Sequence, residues 1–314
     1  MASTREIQSR INSIQDTRKI TSAMYMISST KLRKAKRELE ETEPYFYTLQ
    51  SMIARIMRHM PEMEHPYFGD GRKKASGMAD GKTDVRKALL VVTADKGLAG
   101  AYNHNVLKLA EEKLEENRKV RLFVVGEVGR QYFSGKKIPV DEHFLYTAQN
   151  PTMGRARTIA ARLLELYDNE EIDEVYMIYT SMKNSMQTEA NLERLLPLSR
   201  GDFEIPKIPV DVPHEQFKFR PSPEAVMDSV VPDYLAGFIY GGLVESYCSE
   251  HNARMMAMQA ANDNAGEMLR QLSIEFNRMR QAMITQEITE VIAGAKAQKR
   301  KKKQKQEAGR RLCV

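Results

Sequence analysis

Tryptophan is absent from this 314-residue chain, cysteine occurs twice, and aromatic residues make up only 7%. Cys248 and Cys313 supply neither a disulfide framework nor a metal-ligand spacing, so a reducing compartment is the default. The six histidines show no His-x-x-x-His pattern, and no metal site is expected. No Gly-x-Ser-x-Gly nucleophile elbow occurs, and the adjacent carboxylates Glu40–Glu41 and Glu111–Glu112 lie on lysine-rich helical patterns that read as solvated faces. The most apolar stretch, Tyr234 to Val244, is eleven residues long, against the roughly 20 that a bilayer-crossing helix needs. The opening residues lack the n-region and h-region of a secretory signal. Any membrane association is therefore expected to come through partners.

Proline and glycine are missing where they would break helices. No glycine precedes Gly69, no proline precedes Pro44, and Asp233 to Val314 contains no proline. Within that last stretch Met255, Met258, Asn262, Ala265, Leu269, Leu272, Phe276, Met279 and Met283 alternate steps of three and four. Such a stripe averages 3.5 residues and favours a left-handed supercoil with a partner helix. From Tyr234 to about Gln298 the rod would be roughly 95 Å long at 1.5 Å per residue.

The partner is expected at the other end of the chain. Ser3 with Glu6 reads as a capping box. Ile7, Ile11 and Ile14, then Ile20, Met24 and Ile27, then Leu32, Ala35 and Leu39 follow at helical spacing with small register shifts. Pro44 is expected to bend this helix rather than end it, because Tyr45, Leu49, Ile53, Ile56 and Met60 keep the period. Between the helices come three short β-rich runs, at 88–93, 120–125 and 175–179, separated by helical patterns near 104–117, 127–134 and 154–167. That alternation predicts a parallel, Rossmann-like α/β sheet.

The predicted architecture is an α/β domain (88–205) inserted between two terminal helices, at 1–60 and 233–298, that pair as an antiparallel left-handed coiled coil. A loop (61–87), a connector (206–232) and a basic disordered tail (299–314) complete it. The net charge of +6 is modest, with excess basicity in Lys299 to Lys305 and Lys31 to Arg37, and 19 methionines give the helices adaptable apolar side chains.

The turn after the first strand, Thr93-Ala-Asp-Lys-Gly-Leu-Ala-Gly-Ala-Tyr-Asn103, invites a phosphate-loop reading that fails on spacing. Lys96 precedes Gly97 rather than a Ser or Thr, and the close glycine pair of a dinucleotide fingerprint is missing. No catalytic residue and no cofactor are expected.

Four segments in order resemble the gamma subunit of F-type ATP synthases, over roughly residues 3 to 297. They are Ile11-Asn-Ser-Ile-Gln-Asp-Thr-Arg-Lys-Ile-Thr-Ser-Ala-Met-Tyr-Met26, the Thr93–Asn103 turn, the run Glu250 to Ala265, and Arg280-Gln-Ala-Met-Ile-Thr-Gln-Glu-Ile-Thr-Glu-Val-Ile-Ala-Gly-Ala295. The resemblance implies a rotor shaft of bacterial type, one copy per complex, passing through a hexamer of α and β subunits. An epsilon subunit and a c-subunit ring lie at its base. The implied location is peripheral, on the cytoplasmic face of the cell membrane, with catalysis left to the β subunits and no nucleic acid bound.

By the same resemblance, Arg280 and Gln281 match positions that catch a β-subunit loop. Arg254, Thr285, Gln286 and Glu287 match others facing the hexamer, and Met24 matches a position packed near the β lever, whose acidic tip would suit Lys31, Arg33 and Lys34. Phe217, Phe219 and Arg220 match a segment near the ring, where Arg220 replaces a usual acid. Without the resemblance, Lys31 to Arg37 reads as a solvated face paired with Glu38, Glu40, Glu41 and Glu43. The alternatives are a nucleic-acid-binding arm or scaffold using the basic tail, and an enzyme using the strand ends. Against the first, the basic residues are not interleaved with aromatics and no nucleic-acid module is recognisable.

Overall fold

A computed structural model describes residues 4–60, 65–69, 85–116, 119–142, 144–184, 187–203 and 219–311. The chain divides into two compact units, Tyr25–Ala257 and a second made of Met1–Met24 with Met258–Val314.

The Tyr25–Ala257 unit is built on a four-stranded sheet of β1 (Lys87–Val92), β2 (Val120–Val125), β3 (Glu174–Met182) and β4 (Thr188–Leu196), in the order β2-β1-β3-β4. β1 runs parallel to both β2 and β3, pairing Leu89 with Leu122 and Leu90 with Met177. The three strands read from sequence are parallel as expected, and a fourth, β4, joins antiparallel to β3, which makes the parallel-dominated sheet mixed. The reason β4 escapes sequence reading is its composition. An edge strand that carries Glu189, Glu193 and Arg194 lacks the continuous apolar run of a buried strand.

Alternation along β1 sends its side chains to two cores. Ala88, Leu90 and Val92 face one cluster with Phe123, Val125 and Met177, whereas Leu89 and Val91 face another with Leu122, Val124 and Ile178. Helices α2 (Tyr102–Glu116) and α3 (Glu127–Gly135) cover the smaller core through Val106, Leu107, Ala110 and Phe133. The larger core takes α4 (Met153–Asp168), which Thr152 caps by accepting from the Arg155 amide at 3.3 Å, through Ile159, Leu163 and Leu166.

The same core receives two long helices, α1 (Thr4–His59) and α5 (Pro223–Arg311). From α1 come Leu32, Ala35, Leu49, Ile53 and Ile56. The helix runs through Pro44 because Leu39 and Phe46, on either side of it, are packed into this core. α5 starts ten residues before the expected 233, with Pro223 at its first position and Ser222 as cap, its hydroxyl accepting from the Ala225 amide at 3.2 Å. The apolar stretch expected to cover the sheet or the first helix contributes Leu235, Ile239, Leu243 and Val244 to the core. At Gly237 a Cβ would sit 2.0 Å from the Phe46 ring, so glycine is what lets α5 approach α1 there. His65 is buried, with its Nε2 3.2 Å from Asp228.

In the second unit the first turns of α1 lie antiparallel to α5, as the positions of two contacts require. The Thr4 hydroxyl is 3.6 Å from the Met283 sulfur, and the Thr21 hydroxyl donates to Asn262 Oδ1. On α5 the predicted stripe is the covered one. Met258 and Ala265 are buried and Asn262, Leu269, Leu272, Phe276 and Met279 half-buried, while Met283 is exposed.

On α1 the predicted phase is wrong in the middle. Ile7 and Ile11 are buried, but Ile20 and Ile27 are 62% and 56% exposed. Of the predicted positions here Met24 is half-buried, and the covered face also takes the polar Thr21 and Ser28 with Tyr25, in heptad phase with Ile14 and Leu32, while Arg18 between them is exposed. Helix α5 also continues through the basic run expected to be a disordered tail. Lysine, glutamine, alanine and glutamate are good helix formers, and nothing between Ala295 and Gly309 breaks it. Among the described residues no helix is long and apolar enough to cross a membrane.

Candidate interaction sites

Open α/β sheets usually bind ligands at the carboxyl ends of the strands, where neighbouring connections leave in opposite directions. Here that crevice, above β1 and β3, is filled by α5. The Ser246 hydroxyl accepts from the Thr180 amide at 3.0 Å, and the Ser249 hydroxyl donates to the Thr180 carbonyl at 3.1 Å. Where a bound anion would meet the start of α3, Asp95 of the chain itself stands in. One carboxylate oxygen accepts from the Glu127 amide at 3.0 Å. The other accepts from the amides of Ala148 and Gln149, at 3.1 and 3.2 Å, and from the Thr147 hydroxyl.

The turn that follows β1 is held from both sides. Asn103 Oδ1 accepts from the Ala94 amide at 2.9 Å. From α5, Arg254 Nη2 donates to the carbonyls of Lys96 and Gly97, each at 3.1 Å, while Nη1 is 2.7 Å from Glu250 Oε1 and 3.3 Å from His251 Nδ1. Glu250, His251 and Arg254 are all buried. Burial raises the Glu250 pKa even though Arg254 pulls it down, and burial with the charges of Arg254 and Lys31 lowers His251 to about 3. Just beyond the clamped carbonyls, Leu98 has φ 61° and is 66% exposed. A leucine in the left-handed region costs roughly 1–2 kcal/mol, so the surroundings must impose it.

In the unit of residues 1–24 and 258–314, a groove of about 540 Å³ runs between the two helices. Thr4, Gln8 and Asn12 line one wall, and Phe276, Arg280, Met283 and Glu287 the other. Beyond Arg280 every described side chain through Lys301 is exposed, including Ile284, Ile288, Val291 and Ile292.

Of the residues singled out from sequence, Arg280, Gln281, Thr285, Gln286 and Glu287 are exposed on α5 in this unit, and Met24 is half-buried on α1. In the Tyr25–Ala257 unit Arg33 and Lys34 are exposed, with Lys34 3.6 Å from Glu38, and Lys31 is half-buried. Arg220 is exposed and Phe219 packs against the larger core, while Phe217 lies outside the described residues. Arg254 differs from the others, because its guanidinium points inward to Glu250 and the turn carbonyls and the residue is only 7% exposed. Sequence reading passed over Asp95, Leu98, Glu250 and His251 as site residues. The one available signal was an aspartate just past an apolar strand, a position where a carboxylate can cap a helix start at the strand ends.

A helical hairpin joined to a three-layer α/β unit whose ligand crevice is closed by its own helix is the class of protein these features define. A model of the ATP synthase family matches residues 3–298. The ATP synthase gamma chain of Ruminiclostridium cellulolyticum is 44% identical, with 93% of this chain and 98% of that one aligned. That of Caldanaerobacter subterraneus subsp. tengcongensis is 46% identical over the same shares. The fold is similar to that of a chain in the OSCP/F1/c-ring structure of Euglena gracilis mitochondrial ATP synthase, with a TM-score of 0.61 at 16% identity over 94% of both chains. The chain belongs to the ATP synthase gamma chain family.

Proposed function

We propose that this gamma chain is the central shaft of a bacterial ATP synthase. In this reading it passes through a hexamer of three α and three β subunits, rests on a c-subunit ring beside an epsilon subunit, and is present once per complex. Its place is peripheral, on the cytoplasmic face of the membrane, and it has no catalytic site of its own. The observation that carries this reading is the exposed end of α5, where Ile284, Ile288, Val291 and Ile292 stand in solvent beside Arg280, Gln281, Thr285, Gln286 and Glu287. Large apolar side chains grouped on a surface and rimmed by polar ones mark a contact with another macromolecule. The closed crevice at the strand ends fits a subunit that acts by contact rather than by turnover.

The mechanism follows from symmetry. A rod without threefold symmetry, inside a pseudo-threefold ring, touches each β subunit differently and so favours a different conformation in each. The shift is set by the difference in contact free energy among the states. Rotation of the rod then moves every site through the cycle. Arg280 and Gln281 would engage a β-subunit loop at defined angles. Thr285, Gln286 and Glu287, with Met24, Lys31, Arg33 and Lys34, would meet the hexamer at other levels, and Phe217, Phe219 and Arg220 would lie near the ring.

The test is the ATPase activity of α and β subunits co-expressed with and without this chain. The expected result is a complex holding one copy, with turnover that falls at least tenfold when Arg280 and Gln281 both become Ala, about 1.4 kcal/mol or more of lost stabilisation. Failure of the chain to enter the hexamer would overturn the reading. Salt-dependent RNA binding lost on deleting residues 299–311 would then favour the nucleic-acid arm.

A further inference from the structure

Arg254 sits among residues that suggest partner contact, yet its side chain is almost wholly enclosed. Its fork is divided between two tasks. One terminal nitrogen meets Glu250 and His251 on α5, and the other bridges the consecutive carbonyls of Lys96 and Gly97 in the turn after β1. Two consecutive carbonyls drawn to one nitrogen bend the chain at that point. The next residue, Leu98, takes the left-handed conformation and is presented to solvent at 66% exposure. On its other side the turn is tied down through Asp95 to the start of α3 and to the 147–149 loop.

We propose that Arg254 is a positioning residue that makes no partner contact itself: it locks the turn to α5, so that Leu98 is held rigidly outward and moves with the helix. The geometry is independent of the shaft reading, whereas its consequence for coupling rests on that reading. A planar fork can bridge two carbonyls and hold a carboxylate at once, which the single ammonium of lysine cannot do in the same arrangement. Arginine is therefore required at this position, beyond its charge.

Two measurements on the full chain and its complex test this. In the full chain, hydrogen exchange at the amides of Ala94 and Tyr102, both bonded within the turn, reports whether it is held. Arg254→Lys and Arg254→Gln should each speed exchange there about tenfold while Leu90 and Met177, in the strands, keep their protection. If Arg254→Gln fails to fold because Glu250 is stranded, the Glu250→Gln/Arg254→Gln double variant removes that charge. Unchanged exchange at the turn in the variants overturns the proposal.

In the assembled complex, ion pumping per ATP hydrolysed is compared for Arg254→Lys, Leu98→Ser and the pair. If Arg254 acts through the turn, the pair is no worse than the poorer single variant. Losses that multiply mean that Arg254 has a separate role, and the proposal fails. If the wild-type chain itself does not assemble or couple, the shaft reading fails while the exchange result still decides the clamp.

Discussion

In the Tyr25–Ala257 unit Glu250, Arg254, His251 and His65 are buried, whereas in the unit of residues 1–24 and 258–314 Ile274, Ile288 and Val291 stand in solvent. The first arrangement hides polar side chains, an ion pair among them, and the second exposes oil, each against the usual preference. Folding alone explains neither. A buried ion pair seldom adds net stability, and exposed isoleucines add none until something covers them. The difference separates two tasks. The α/β unit fixes one geometry, by giving its enclosed polar groups named partners. The end of the hairpin leaves an apolar surface uncovered, which the proposed shaft reading assigns to a partner.

The sharpest way to break the comparison is at the buried pair. Glu250→Ala strands the Arg254 charge and is expected to cost about 3 kcal/mol or more. Replacing both residues by apolar ones, Glu250→Leu with Arg254→Met, removes the desolvation of two charges and should bring stability back to within about 1 kcal/mol of wild type. Urea unfolding followed by circular dichroism measures both. Restored stability without restored coupling would show that the pair is kept for the turn it holds. A double variant as unstable as the single one would mean that the pair does contribute to the fold.

Much of this architecture was legible in the sequence. The three parallel strands and the α5 stripe from Met255 to Met279 were read at nearly their observed positions, because long periodic runs and short β-branched runs carry strong signals. The errors have physical causes. β4 is a charged edge strand, and α1 pairs partly through Thr21 and Ser28, so an apolar count moved the stripe onto Ile20 and Ile27. Those two isoleucines are outward-facing, the reverse of what hydrophobicity alone suggests. The inward turn of Arg254 was not legible, since arginine reads as exposed and its acceptors are backbone carbonyls 157 and 158 positions away.

A second break uses pH. His251 is held at about 3 against an ordinary 6.5, first by burial and then by the charges of Arg254 and Lys31. The unfolded chain takes up this proton below 6.5 and the folded chain does not, so the stability due to neutral His251 is full above 6.5 and is lost as pH falls. By pH 4.5 the loss should reach about 2–3 kcal/mol. Glu250 acts with the opposite sign. Its raised pKa lets the folded chain take its proton first, so its contribution favours folding below the unfolded carboxylate range and is lost as pH rises through the folded value. It therefore offsets part of the His251 effect at the acid end of the window. His251→Gln should flatten the dependence between pH 6.5 and 4.5 in denaturation measured across that range, and an unchanged slope would assign it to other groups.

The smallest expected effect on stability is at the exposed end, and there it is the contrast with function that carries information. Ile288 and Ile292 are 54% and 51% exposed, one helical turn apart on α5. Changing both to Ser removes no buried contact within the chain and should shift its stability by no more than about 0.5 kcal/mol. Ile7, on the covered face of α1 and 2% exposed, is the internal control, because burying an isoleucine is worth about 1.5–3 kcal/mol. If the exposed face exists for a partner, the Ile288→Ser/Ile292→Ser chain should unfold like wild type, yet release from the αβ hexamer faster at equal concentration. If it releases no faster, the apolar character of that face is irrelevant to assembly. Coupling would then have to depend on the polar residues beside it, Arg280, Gln281 and Glu287.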